Sequence, residues 1–248
     1  MLRAYGDGNL FGETYGEGPV RVVWLHGWAR RGQDFSAAAS ELALAGISSV
    51  ALDLPGFGAS PVPLVAGGAR TYAELVAPVL REISEQPLVL VGHSLGGRIA
   101  PVVAANYPEV VKSLVLCGAP LVGQTHVAPP WSYRALRWMH GHSLVGDRRM
   151  EAARQRFGSS DYRNATGSLR RVLVAMVNES YEDELVRVMV PVSLLWGARD
   201  EVVPLDVAQR AMALIAGAHS LRVVEGVGHL LPTEAPHELV VSVREALA

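Results

Sequence analysis

The run Leu88-Val89-Leu90-Val91-Gly92-His93-Ser94-Leu95-Gly96-Gly97 decides the fold. Its apolar start leads into a Gly-x-Ser-x-Gly turn, and the apolar stretch Ile99 to Ala105 follows as a helix. At this glycine and serine content a bare Gly-x-Ser-x-Gly arises by chance roughly 0.1 to 0.2 times per chain, so the weight rests on its position between strand and helix. Side chains at Gly92 and Gly96 would crowd so tight a turn, which lifts Ser94 out of the sheet. The start of the next helix directs its unpaired N–H groups at charge developing near that serine.

Outward from this run, short apolar segments at Val20 to Leu25, Ile47 to Leu52, Val111 to Leu116, Val192 to Trp196 and Leu221 to Val224 read as further strands. They are too short for helices and lack polar alternation, as expected of strands covered on both faces. Helical patterns at Phe35 to Ala45, Thr71 to Ser84, Gly96 to Tyr107, Leu205 to Ile215 and Pro236 to Leu247 lie between them. The order predicts an α/β fold, a mostly parallel central sheet flanked by helices in right-handed connections. An antiparallel pair is expected at the start, with Leu10 to Tyr15 leading through Gly16, Gly18 and Pro19 into the next strand.

The alternation breaks between Leu121 and Met189, where arginines and aromatic residues enter in helical patterns. This predicts a helical cap of residues 121–189, bounded by Pro120 and Pro191, inserted into a core of residues 1–120 and 190–248. A chain of 248 residues that is 50% hydrophobic can bury one large core. With 19% charged residues and a net charge of -2, nothing global favours nucleic acid or a membrane surface as partner. The single cysteine, Cys117, excludes an internal disulfide and reads as a packing residue beside the sheet. Met1 to Gly18 holds no continuous apolar stretch, so a cytoplasmic location is expected.

A serine hydroxyl is a poor nucleophile at neutral pH and needs a base, which in turn needs a group to fix its tautomer. The strand Val192 to Trp196 runs into Gly197-Ala198-Arg199-Asp200, and Leu221 to Val224 runs into Glu225-Gly226-Val227-Gly228-His229. Both loops are expected at the carboxyl rim of the sheet, where wound folds build their sites. Ser94 is therefore read as nucleophile, His229 as general base and Asp200 as its orienting carboxylate. Glu201 directly follows Asp200, and Asp206 after Pro204 suits a helix cap better. His93 is expected to pack beside the turn, and His140 and His142 lack the company of a metal site. Backbone amides of Leu95 and of Trp28, in the loop His26-Gly27-Trp28, are the candidate oxyanion donors. No metal or organic cofactor is required.

In Leu25-His26-Gly27-Trp28, Asp53-Leu54-Pro55-Gly56-Phe57-Gly58-Ala59-Ser60, Gly92-His93-Ser94-Leu95-Gly96-Gly97, Trp196-Gly197-Ala198-Arg199-Asp200 and Gly228-His229, taken in this order, the chain resembles the α/β-hydrolase superfamily. The His26 to Trp28 and Asp53 to Ser60 segments look like those of capped carboxylesterases, the branch that includes the pimeloyl-acyl-carrier-protein methyl ester esterases. The resemblance implies a serine hydrolase that cleaves a carboxylic ester through an acyl-enzyme. It extends equally to lactone hydrolases, carbon–carbon bond hydrolases and perhydrolases, and a lyase or small-molecule receptor on the same scaffold stays open. Serine at position 94 separates the chain from the dehalogenase and epoxide-hydrolase branches, which carry aspartate there.

From Arg134 to Arg171 the insert holds nine arginines, at 134, 137, 148, 149, 154, 156, 163, 170 and 171, against Asp147, Glu151 and Asp161. This asymmetry suits either an acidic partner, such as an acyl carrier protein, or an ordinary solvated helical surface. Trp131, Tyr133, Trp138, Phe157 and Tyr162 are candidates to line an acyl pocket or to hold the cap on the core. Of these, Trp131, Trp138 and Phe157 join Trp28 as the expected substrate-binding residues.

Overall fold

Valine and leucine runs with both faces apolar form the centre of a single sheet. The computed structural model describes residues 1–123, 131–142, 144–157 and 160–248, with the side chains of 131–134, 154, 157 and 160 excepted. In chain order, β1 (Leu2–Tyr5), β2 (Leu10–Tyr15) and β3 (Val20–Leu25) precede a 3-10 turn, Gly32–Phe35, and α1 (Ser36–Leu44). Then come β4 (Ser48–Asp53), α2 (Ala69–Ile83), β5 (Leu88–His93), α3 (Leu95–Asn106) and β6 (Val111–Cys117). Helices α4 (Trp131–Gly141), α5 (Asp147–Phe157), α6 (Ser160–Asn164), α7 (Gly167–Asn178) and α8 (Glu182–Arg187) intervene before β7 (Val192–Gly197). The chain closes with α9 (Leu205–Met212), β8 (His219–Val224), α10 (Leu231–Glu234) and α11 (Pro236–Leu247).

The sheet has eight strands in the order β1-β2-β4-β3-β5-β6-β7-β8. From β4 onward every neighbouring pair is parallel, and only β1 and β2 run against their partners. Alternate side chains of each strand enter opposite faces. Val23, Leu25, Leu90 and Leu114 are buried with Val76, Leu80 and Ile99 of α2 and α3, while Val22, Trp24, Val89 and Val91 are buried with Leu42 and Val243 of α1 and α11. Each such side chain contributes about 1.5–3 kcal/mol by leaving water. The sheet is thus a two-faced wall whose carboxyl edge holds the loops after β3, β5, β6, β7 and β8.

The start of the chain departs from the expected pairing. Leu10 to Tyr15 is a strand, but its antiparallel partners are β1 and β4, with Phe11 opposite Asp53 and Tyr15 opposite Ser49. It does not pair with β3, which lies between β4 and β5. The burial patterns give the reason: β3 is buried on both faces and takes parallel neighbours on either side, whereas β2 alternates and suits the sheet's flank. Asp206 also differs from its expected role. Pro204 occupies the helix cap, and Asp206 sits in the first turn of α9, 3.4 Å from Arg210. Among the described residues no helix is long and apolar enough to cross a membrane.

Candidate active site

Ser94 sits between β5 and α3 with φ 47 and ψ -100, in the left-handed half of conformational space that non-glycine residues avoid. Two close backbone approaches hold it there. A Cβ on Gly96 would lie 2.0 Å from the Leu25 carbonyl oxygen, and one on Gly92 would lie 2.5 Å from the Gly96 oxygen. The Ser94 N–H donates to the Cys117 carbonyl at 3.0 Å, and the Gly96 N–H donates to the His26 carbonyl at 2.9 Å. Leu95 opens α3, where N–H groups lack partners within the helix. Cys117 is fully buried, its Sγ 3.6 Å from the Gly92 carbonyl, and burial pushes its thiol pKa up.

The loop after β3 is fixed by its own histidine. His26 Nδ1 lies 2.7 Å from the Gly27 oxygen, so Nδ1 carries the proton and Nε2 accepts the Leu54 N–H at 2.9 Å. Burial lowers the pKa of this ring to about 4, which keeps it neutral. Trp28 follows, its ring edge-on to Phe57 at 5.0 Å. The Asp53 to Ser60 segment buttresses the same corner. The Asp53 carboxylate accepts the N–H groups of Gly32 and Ala59 at 2.8 Å each, and Ser60 Oγ donates to the Asp53 backbone carbonyl at 2.5 Å.

Asp200 and His229 meet across the loops after β7 and β8. His229 Nδ1 is 2.8 Å from Asp200 Oδ2, and the carboxylate is 1% exposed against 16% for the imidazole. Asp200 Oδ1 accepts the N–H groups of Val202 at 2.9 Å and Val203 at 2.8 Å. Gly118, at φ 52, closes over this pair, since a Cβ there would lie 3.1 Å from both Asp200 Oδ2 and His229 Nδ1. The Ser94 turn reaches the same loop through His93, whose Nε2 is 2.8 Å from the His229 carbonyl oxygen. Glu201 is exposed.

Ser94 opens into a cavity of about 150 Å³ lined by Trp28, Leu95, Leu173, Met176 and Val203 together with Arg98 and Asp161. Arg98 is tied down, donating to the Met176 carbonyl and lying over the Tyr181 ring at 6.0 Å. Asp161 comes from α6; partial burial raises its carboxyl pKa, and the charge of His229 opposes that rise. Neither Asp161 nor Gly118 was expected from the sequence. A glycine directly after a strand was the only available signal for Gly118, and a lone aspartate among arginines gave none for Asp161.

Trp138 does not line this cavity, contrary to expectation. It is 59% exposed and its ring packs tilted against His142 at 4.4 Å, because α4 turns that face to solvent. The side chains of Trp131, Tyr133 and Phe157 lie outside the described residues. Tyr162 of α6 donates to Glu151 of α5 at 2.9 Å beneath Arg170. Arg170 pairs with Glu151 at 2.8 Å, while Arg137, Arg148, Arg149 and Arg171 are exposed. His140 hydrogen-bonds the Val145 carbonyl and His142 the Trp138 carbonyl.

A family model described as the alpha/beta hydrolase family matches residues 22–243. The chain is 34% identical over 215 residues to a pimeloyl-[acyl-carrier protein] methyl ester esterase of Chromobacterium violaceum, covering 79% of this chain and 82% of that one. Among solved structures it resembles an esterase from Exiguobacterium antarcticum, with a TM-score of 0.75, 24% identity and coverage of 100% and 99% of the two chains. It equally resembles a bromoperoxidase from Bacillus anthracis, with a TM-score of 0.76, 18% identity and coverage of 100% and 99%. At these identities the structural likenesses bear on fold alone.

Proposed function

The chain belongs to the alpha/beta hydrolase family, and on that premise we propose that it is a serine esterase working through an acyl-enzyme. Ser94 Oγ attacks the acyl carbon while His229 Nε2 takes its proton, and Asp200 holds the imidazole in the tautomer that leaves Nε2 free to do so. The Trp28 and Leu95 amides stabilise the tetrahedral oxyanion. Collapse breaks the bond to the alcohol, which leaves with the proton from the imidazolium. Water then repeats the sequence on the acyl-enzyme and releases the acid. The observation that supports this reading most is the 2.8 Å hydrogen bond between His229 and Asp200, made at the rim that carries Ser94.

The insert acts as a cap over the acyl cavity, and its exposed Arg137, Arg148 and Arg149 face an acidic acyl carrier protein. The support is the charge of this surface together with the 34% identity to a relative named for an acyl-carrier-protein ester. A cavity of about 150 Å³, mostly apolar but with Arg98 and Asp161 in its wall, suits a short acyl group, roughly the size of benzene.

The test is turnover of a panel of esters varied in acyl length and alcohol, by the parent and by Ser94→Ala. Ser94→Ala should lose at least about 10³-fold in kcat with its fold intact; retained turnover would refute the assignment. Stoichiometric fluorophosphonate labelling without ester turnover by the parent would instead indicate a lyase or receptor. For the carrier, Arg148→Glu with Arg149→Glu should weaken kcat/KM on a carrier-bound ester and spare a simple ester. Equal kinetics on the carrier-bound ester, with no response to salt, would remove the carrier from the reading.

A further inference from the structure

His93 ends β5, directly before Ser94, and is 2% exposed. Its Nε2 lies 2.8 Å from the backbone oxygen of His229, a residue 136 positions away. A carbonyl only accepts, so Nε2 must carry the ring's proton. The ring lies 4.9 Å from the His229 ring, tilted by 48°. Its other nitrogen, Nδ1, is buried without a hydrogen-bond partner among the described residues and faces Gly27, where a Cβ would come within 2.9 Å of it. One buried imidazole thus fills the junction of the loops after β3, β5 and β8.

Those loops supply the proposed oxyanion amide, nucleophile and base, so the inference rests on the Ser94 and His229 reading above. We propose that His93 is a positioning residue, whose Nε2–H clamps the main chain of the His229 loop to the nucleophile turn. Asp200 holds the Nδ1 end of the His229 ring and Gly118 closes over it, which still leaves the ring free to follow any shift of its own main chain. Holding the residue 229 carbonyl removes this freedom and sets where Nε2 meets Ser94 Oγ. A displacement of about 1 Å at such a distance costs on the order of 10²-fold in rate. Burial, with the neighbouring His229 as the second cause, lowers the His93 pKa to about 3. The clamp therefore stays neutral and adds no positive charge beside the imidazolium formed in catalysis.

Methionine and glutamine at position 93 separate the clamp from simple filling of space. They match in length, but only glutamine can present an N–H near the position of the imidazole Nε2. Counted per site titrated to its end point with fluorophosphonate, His93→Met should lower kcat about 10- to 100-fold with KM within about two-fold. His93→Gln should stay within about five-fold of the parent. Equal kcat in the two variants would overturn the inference, while a dead Ser94→Ala would leave the esterase reading intact. Should neither variant fold, nitrogen-15 NMR of histidine in the parent tests it directly. His93 should stay a neutral Nε2–H tautomer between about pH 5 and 8; an Nδ1–H tautomer, or titration in that range, would overturn it.

Discussion

Asp200 divides its two oxygens between His229 and the main chain. Oδ2 takes Nδ1–H of His229 at 2.8 Å, and Oδ1 takes the amides of Val202 and Val203 at 2.9 and 2.8 Å. Every neighbour is a donor, so the position calls for a side chain that accepts on both sides. A carboxylate does this, and the β7 loop that wraps its Oδ1 leaves it one orientation toward the imidazole.

Asp200→Asn should therefore be costly in either rotamer. With the amide nitrogen toward His229, donor meets donor and the imidazole is pushed to the wrong tautomer; with it toward the loop, two backbone N–H groups lose their acceptor. We expect kcat to fall about 10²- to 10⁴-fold, and stability to fall by about 1–3 kcal/mol. Ester kinetics beside urea unfolding measures both, and a variant within ten-fold of the parent in kcat would contradict the orienting role.

The Ser94 turn was legible because strand, glycines and helix are contiguous and the clash that requires Gly92 is with the adjoining Gly96 backbone, whereas the clash that requires Gly96 is with Leu25 of β3 and could not be read locally. Asp200 and His229 were legible as ends of apolar runs. The partner of β2 was not, since a Gly-Pro connection is compatible with a hairpin, and only the two-sided burial of β3 excludes it. His93 was expected to pack, but a hydrogen bond to a carbonyl 136 residues away leaves no mark in the sequence. Trp138 shows the converse: its aromatic character says nothing about which face of α4 meets solvent.

Gly96→Ala should damage folding before catalysis. Its Cβ would lie 2.0 Å from a backbone oxygen of β3, which cannot rotate away as a side chain could. A loss of about 3 kcal/mol or more is expected. Gly141→Ala is the control, because nothing among the described residues lies within 4 Å of its added Cβ. It should be neutral or gain up to about 1 kcal/mol. Thermal melts of the two variants decide the matter, and equal melting temperatures would contradict the turn's steric account.

Stability should fall in mild acid through two histidines. His26 and His93 are held neutral by burial, with pKa values lowered from 6.5 to about 4 and about 3. Both native values lie below the unfolded value, so the unfolded chain binds the protons first. Their contribution is complete above pH 6.5 and is lost progressively as the pH drops from there toward 4 and below. Two such groups give a slope of about 2.7 kcal/mol per pH unit. His93→Gln should remove about half of it, some 1.4 kcal/mol per unit. Urea midpoints between about pH 7 and 4.5 provide the comparison; parallel slopes in parent and variant would show that His93 is not held neutral.

Asp161 should select against anionic acyl groups. It is the acidic residue in the wall of the Ser94 cavity, among Trp28, Leu173, Met176 and Val203, and the Arg98 guanidinium in the same wall donates to the neutral Met176 carbonyl, keeps its charge and offsets part of that of Asp161. A substrate with a free carboxylate at the end of its acyl chain would meet this charge, and so would the acid released by each turnover. Because Asp161 is reached by solvent, the repulsion is screened and should be worth only about three- to ten-fold in kcat/KM. Asp161→Asn should narrow the preference for a neutral ester over an anionic ester of equal length by that factor, and weaken no step for the neutral one beyond about two-fold. The ratio of kcat/KM values on the matched pair is the measurement. A ratio unchanged by the substitution would mean that the acyl chain leaves the cavity by a route away from α6.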